Sequence, residues 1–214
     1  NVSNLVSNVG VVSSDASGVG TARGQLAGCE YGADKGIFAY GYPTTAVSNL
    51  VSNTGVVASD VSGVGTARYA PASCHFGTDE GLFSGGNTGG GVTNLVSNAG
   101  VVQGDTAAVA TSTNIWCGTE YGEDKGILGF GSDGSYTAKT NLVSNTGVVA
   151  ADTTGVAGAT ARAYLTACEY AGDKGIFGFG DGSAMNVTNL VSNTGVVAAD
   201  TTGVGTARWG PAAC

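Results

Sequence analysis

The sequence predicts an all-β protein: a β-propeller of about five four-stranded blades, forming a single repeat domain over residues 1–214. Three observations carry this expectation. The segment NLVSN begins at Asn4, Asn49, Asn94, Asn141 and Asn189, so one wording returns every 45 to 48 residues, and internal periods of that length mark arrays rather than separate cores. Gly supplies 38 of 214 residues and charged residues only 11%, which suits strands and tight turns and leaves little for amphipathic helices. A second phrase alternates with the first: YGADKGIFAYG from Tyr31, FGTDEGLFSGG from Phe76, YGEDKGILGFG from Tyr121 and YAGDKGIFGFG from Tyr170.

Each element of a repeat can be read in order from the fourth interval. TNLVS, residues 140–144, alternates polar and apolar side chains and closes on Asn145-Thr146-Gly147, a turn signal. GVVAADTTG then returns as a second short strand, making a hairpin. After GVAGATAR comes AYLTACEY, residues 163–170, as a third strand. Gly172-Asp173-Lys174-Gly175 reads as a tight turn leading into IFGFG, the fourth. Such a meander cannot bury both faces alone and must pack on its neighbours, as propeller blades do. A parallel β-helix would need shorter rungs without tight hairpin turns and ranks second.

The order NLVSNTGVV, a short connection, GTAR, an apolar strand and KGIFGFG resembles the kelch repeat, in which an Arg precedes the innermost strand and an apolar strand ends in glycines. The copies depart from it in ending with GFG, AYG or SGG rather than a strict double Gly, and in lacking the usual Trp after the turn. The wording also resembles tandem repeats of structural proteins of tailed phages and other environmental viruses. The kelch resemblance implies that the strand after Arg, such as QLAGCEY, is innermost. It further implies that both ends of the chain share a fifth blade lacking one strand, so that the ring is five-bladed with a defect or belongs to a longer array. The only Met is Met185, and the final repeat stops at Cys214; the expectation is a segment of something longer.

A formal net charge of −8 disfavours nucleic acid as a partner, since phosphate binding needs a basic stripe. Seven of the eight basic residues, Arg23, Lys35, Arg68, Lys125, Arg162, Lys174 and Arg208, fall in two recurring slots, and only Lys139 lies outside them. No stretch of about 18 apolar residues suggests membrane insertion, and no charged-then-apolar start marks a signal peptide.

Cysteine recurs once per repeat. Cys29, Cys74, Cys168 and Cys214 sit six residues after the repeat Arg, and Cys117 stands two residues earlier in its copy, on the same face of a strand. One thiol per blade could form a ring of ligands for Zn or Cu(I), or each could be a small buried hydrophobe. The hydrophobe reading is favoured and no metal or other cofactor is expected, because no CxxC or Cys/His spacing exists and His75 is the only imidazole. Arg23, Arg68, Arg162 and Arg208, with Asp15, Asp60, Asp105, Asp152 and Asp200, are expected to pair structurally within or between blades. The third copy has Thr113 in the Arg slot, so its blade is expected to be the least well tied. Glu30, Glu120 and Glu169 follow the Cys slot, with His75 in their place in the second copy; they could ring a channel mouth or stand as exposed strand ends. The turn residues Asp34, Asp79, Asp124 and Asp173 and the recurrent Asn residues need only turn chemistry. Asn1 and Asn186 fit the N-glycosylation pattern.

Catalysis needs dissimilar residues that break the repeat, and the sequence offers no nucleophile elbow, phosphate loop or paired carboxylates outside repeat slots. The His, Tyr and Cys ligand set of a kelch-like copper oxidase is not assembled either. Irregular stretches fall at 41–48, 84–93, 111–120 and 131–140, mostly in the connection after the fourth strand, and variable connections on a rigid frame suit binding. The expected function is therefore a non-catalytic structural or adhesive propeller in a virion or extracellular assembly. Its partners would be protein, through self-assembly or other structural subunits, or glycan. The rival is a module binding a small ligand or metal in the central channel.

Overall fold

The computed structural model describes residues 1–107, 110–114, 116–182 and 185–213. Among these residues twelve short strands form four antiparallel sheets of three: β1 (Ala27–Tyr31), β2 (Lys35–Ala39) and β3 (Ser48–Val51); β4 (Ala72–Phe76), β5 (Glu80–Ser84) and β6 (Thr93–Val96); β7 (Cys117–Tyr121), β8 (Lys125–Gly129) and β9 (Thr140–Val143); β10 (Thr166–Tyr170), β11 (Lys174–Gly178) and β12 (Thr188–Val191). Among the described residues there is no helix. The register repeats from sheet to sheet: Gly36 faces Val51 and Phe38 faces Asn49, as Gly81 faces Val96 and Phe83 faces Asn94.

The expected five blades of four strands are corrected to four sheets of three. The segment read as each repeat's second strand stays short of a ladder: it touches β3 through only the bridges Ser48 to Val61 and Val51 to Val57, with equivalents in the later repeats. Side chains account for the difference. Asn49 Nδ2 donates to Ala58 O at 3.1 Å and to Asp60 Oδ1 at 2.9 Å, so an amide spans the middle of the hairpin where a ladder would continue. Residues 3–16 form the same hairpin by themselves, with bridges Ser3 to Ala16 and Val6 to Val12. The expected turn at Lys-Gly is also shifted, because Lys174 and Gly175 already belong to β11.

The sheets stack face to face in chain order, β1 packing on β4, β4 on β7 and β7 on β10. Successive residues of a strand point to opposite faces, so Ile37 faces the following sheet and Phe83, one position later in its own sheet, faces the preceding one; both lie in one cluster with Tyr40. Leu82 with Leu128 and Trp116 forms the second cluster, and Ile127 with Phe177 and Phe130 the third. Each cluster thus straddles one junction, and the core is divided among the junctions rather than pooled in one centre. Backbone bonds repeat the same step: Gly32, Gly77 and Gly122 N–H donate to Asp79, Asp124 and Asp173 O of the following sheet at 2.7 to 2.8 Å.

Candidate functional site: the inner strands and the arginine network

The strands after Arg lie side by side and line a cavity of about 850 Å³. Glu30, His75, Glu120 and Glu169, one from each inner strand, reach it. His75 Nδ1 stands 3.1 Å from Glu120 Oε1, which also accepts the His75 backbone N–H at 2.8 Å. The bond to Glu120 raises the imidazole pKa against the effect of burial, and the nearby Glu30 and Glu169 add to it. Burial works to raise the Glu120 carboxyl, but the His75 bonds outweigh it and hold it below the usual carboxylate range. Glu169 is raised, by burial first and then by the charge of Glu120. One carboxylate is therefore paired and a second is crowded by it.

Cys29, Cys74, Cys117 and Cys168 all border the same cavity, but among the described residues no three of them close into a ligand ring. A Cβ placed on Gly81 would collide with Cys29 Sγ, and one on Gly126 with Cys74 Sγ, so each thiol packs beneath the following sheet's middle strand. Thr119 holds that slot in the third sheet and meets Gly175 in the same way. Cys117, two residues earlier, joins the third apolar cluster from a half-buried position. Cys168 is half-buried, and Cys214 lies outside the described residues. Burial pushes the Cys29, Cys74 and Cys117 thiols well above their ordinary value, which suppresses the thiolate that soft metals and nucleophilic chemistry require. Among the described residues no three His, Cys, Asp or Glu side chains converge to hold a metal ion.

The arginines sit at the junctions. Arg162, fully buried, donates from Nε to Phe179 O at 2.7 Å, from Nη1 to Thr160 O at 3.0 Å and from Nη2 to Asn189 Oδ1 at 2.6 Å, with Asp200 at 3.8 Å. Arg23 makes the same set with Tyr40 O, Thr21 O and Asn49 Oδ1, and lies 4.0 Å from Asp60. Arg68 is turned: its Nη2 donates to Phe83 O at 3.3 Å, and its Nε and the buried Asn94 Oδ1 make no hydrogen bond. Three guanidinium groups also lie over a ring of the preceding sheet, Arg68 over Tyr40 at 3.7 Å, Arg162 over Phe130 at 4.3 Å and Arg208 over Phe179 at 3.9 Å. Arg208 is otherwise exposed and donates to Thr206 O.

The aspartates bind mainly through hydroxyl and amide groups. Asp60, Asp105, Asp152 and Asp200 each accept from the Thr two residues before the Arg slot and from the repeat Asn, as in Thr21 Oγ1 to Asp60 at 2.7 Å and Asn94 Nδ2 to Asp105 at 2.9 Å. Asp15 accepts from Asn4 at 2.8 Å. The sequence explains these Asn residues as local turn groups; in the structure Asn49 and Asn189 bridge Arg to Asp, while Asn4, Asn94 and Asn141 donate to Asp without an Arg bond. The signal was the fixed spacing of eleven residues from Asn to Asp in all five copies.

The third copy replaces rather than omits its tie. Lys139, the one basic residue outside the recurring slots, lies 3.5 Å from Asp152. Where Thr113 stands for Arg, the preceding sheet carries Gly85 in place of the aromatic, and Trp116 fills the space and donates from Nε1 to Ser84 O at 3.0 Å. Of the two glycosylation candidates, Asn1 donates to Gly20 O at 2.6 Å, and Asn186 donates to Gly203 O and Gly205 O at 3.1 and 3.0 Å.

No family model matches the chain, and no curated protein does. Solved structures do match in fold. Virginiamycin B lyase from Staphylococcus aureus, a propeller, aligns with a TM-score of 0.60 at 10% identity over 94% of this chain and 63% of that one. A fungal alcohol oxidase of the AA5 family, in complex with copper, aligns with a TM-score of 0.55 at 12% identity over 94% of this chain and 58% of its own. The chain spans about three-fifths of the length of these structures. At such identities the likeness concerns the fold, and the repeated small antiparallel sheets are propeller-like.

Proposed function

We propose that this chain is a non-catalytic structural or adhesive frame, a kelch-like propeller segment serving in a virion or extracellular assembly. One observation carries the reading: recurrent groups that could do chemistry are consumed in holding the sheets together. Arg23 and Arg162 bond to Asn49 and Asn189, which bond in turn to Asp60 and Asp200, and the Cys29 and Cys74 thiols are packed on glycine. What remains free is the set of connections that break the repeat. Two of them carry exposed tyrosines, Tyr42 edge-on to Tyr69 at 5.5 Å and Tyr136 donating to Asp181 at 2.9 Å. Rigidly placed tyrosines offer large contact area at low entropic cost, which suits protein or glycan contacts.

The crowded carboxylates around the 850 Å³ cavity favour a second reading, a small cationic ligand or metal held in the channel. Native mass spectrometry with and without reductant separates the two. A metal-free assembly of several chains supports the structural frame. A monomer of 20.8 kDa carrying a stoichiometric ion or small molecule overturns it in favour of the channel.

A further inference from the structure

The three junctions show what covers the leading face of a sheet, and in the first sheet Phe38 and Leu26 of that face stay open among the described residues. Phe83, Leu128 and Phe177 are fully buried against the preceding sheet, whereas their counterpart Phe38 is 40% exposed. Leu26 is 39% exposed where Trp116 and Leu165 are at 6% and 8%. Gly81, Gly126 and Gly175 lie beneath a side chain of the sheet before; for a Cβ on Gly36 the nearest described atoms are those of Val51 and the Cys29 carbonyl of its own sheet. Arg68, Arg162 and Arg208 each lie over an aromatic ring, and Arg23, equivalent in its hydrogen bonds to Arg162, has none among the described residues.

Beside this face stands the hairpin of residues 3–16, its Leu5 closely approaching Gly55. Ser3 and Leu5 direct their backbone groups to the hairpin's return arm. In a strand the next residues alternate to the other edge, and the N–H and C=O groups of Asn4 and Val6 make no hydrogen bond to the described residues. In the first sheet the equivalent residues, Asn49 and Val51, pair with Phe38 and Gly36 of the middle strand. Val6 is 65% exposed, while Val96, Val143 and Val191 at that position are fully buried. Between hairpin and sheet lies a groove of about 370 Å³, lined by Asn4, Arg23, Leu26 and Phe38.

We propose that this groove is a strand-acceptor site. Its occupant is an extended segment of a partner protein with the pattern of the chain's own middle strands: glycine, two bulky apolar residues, a small residue, an aromatic and glycine, as in GIFGFG. Continuity with the three internal junctions dictates this chemistry. The occupant's backbone pairs with the free edge at Asn4 and Val6, its glycine sits opposite Val6, and its apolar side chains cover Phe38 and Leu26. Its aromatic lies under the Arg23 guanidinium, which otherwise has no ring partner. Addition of a strand to an open edge supplies affinity through the main chain and specificity through alternate side chains, and an uncovered edge beside an apolar face is a template for such pairing.

The test uses the full chain and a fluorescein-labelled peptide DKGIFGFG, the sequence of residues 173–180. Fluorescence anisotropy should show saturable 1:1 binding, with a rise in the thermal unfolding midpoint. Two altered peptides should bind at least tenfold more weakly: one with Phe179→Ala, which removes the ring for Arg23, and one N-methylated at Phe177, whose counterpart position in the fourth sheet pairs with Asn189. Val6→Pro in the chain removes an N–H that is unused within it and should weaken the parent peptide by a similar factor. No binding at millimolar peptide overturns the proposal. So does undiminished affinity for the N-methylated peptide, a measurement that needs no altered chain.

Discussion

Arg162 is enclosed by two carbonyl oxygens, an amide oxygen and the face of Phe130, with no exposure. Removing one partner of a buried, bonded charge strands the others, at a cost of roughly 3–5 kcal/mol. Arg162→Ala should therefore lower unfolding free energy by about 3 kcal/mol or more in urea titrations, while Arg208→Ala, at an exposed arginine, should stay within about 0.5 kcal/mol. Equal effects would mean that the network is incidental. His75 and Glu120 give a pH dependence whose sign follows from their shifts. His75 is raised above the ordinary imidazole value of 6.5, so its contribution is complete below that pH and is lost as pH climbs through the folded value. Glu120 is lowered below 4.5, so its contribution is complete above that pH and is lost as pH falls through the folded value. The pair therefore stabilises most between the two, and His75→Gln should abolish the fall in stability from about pH 6 to about pH 8, measured as unfolding midpoints across a pH series. The Arg and Asp slots were legible in the sequence because charge is rare in it. The partners of the thiols were not: each Gly that receives a Cys lies one repeat further on and read locally as a turn residue.

At the scale of the element, the outer hairpins show how one turn serves two purposes. Gly147 has φ +75°, a left-handed conformation costly for other residues, and a Cβ there would meet the Phe76 ring and Leu95 of the preceding sheet. Gly10 occupies the same turn at φ +76° with nothing within 4 Å. Gly10→Ala should cost only the backbone strain, about 1 kcal/mol, whereas Gly147→Ala adds overpacking of about 1–3 kcal/mol. Chemical denaturation of both variants measures the difference, and equal losses would mean that the hairpins do not pack on their neighbours. Three of the four strands in a repeat could be read from alternation and turn signals. The return arm, GVVAAD, also alternates well enough to suggest a strand, but side chains interleave with its backbone bonds to β9: Ala150 N donates to Leu142 O, while Asn141 Nδ2 donates to Ala150 O and Thr140 N to Thr153 Oγ1. Periodicity registers which way side chains point and does not register whether a side chain or the backbone takes the bond.

For the whole molecule, a core divided among junctions makes stability depend on position. In stacked repeats stability is close to a sum of each unit's own term and its nearest-neighbour contacts, so a sheet with two covered faces outlasts one with a single covered face. The second and third sheets have neighbours on both sides, and their middle strands β5 and β8 are the most buried of the described strands. The first sheet leaves Phe38 and Leu26 open, and β10 of the fourth sheet ends in the exposed pair Glu169 and Tyr170. Hydrogen exchange followed by mass spectrometry should then give a graded profile, slowest over residues 72–84 and 117–129, faster over 27–39 and 166–178, and fastest in residues 1–20. The third copy is the sensitive point, because the sequence suggested a weak blade where Thr113 replaces Arg. If Trp116 and Lys139 substitute for the missing tie, residues 117–129 will exchange as slowly as 72–84. Trp116→Ala should then speed exchange on both sides of that one junction and leave the junction of the first and second sheets unchanged, since nearest-neighbour coupling does not reach across an intact sheet. Uniform protection along the chain would contradict this picture, because it requires all four sheets to open together.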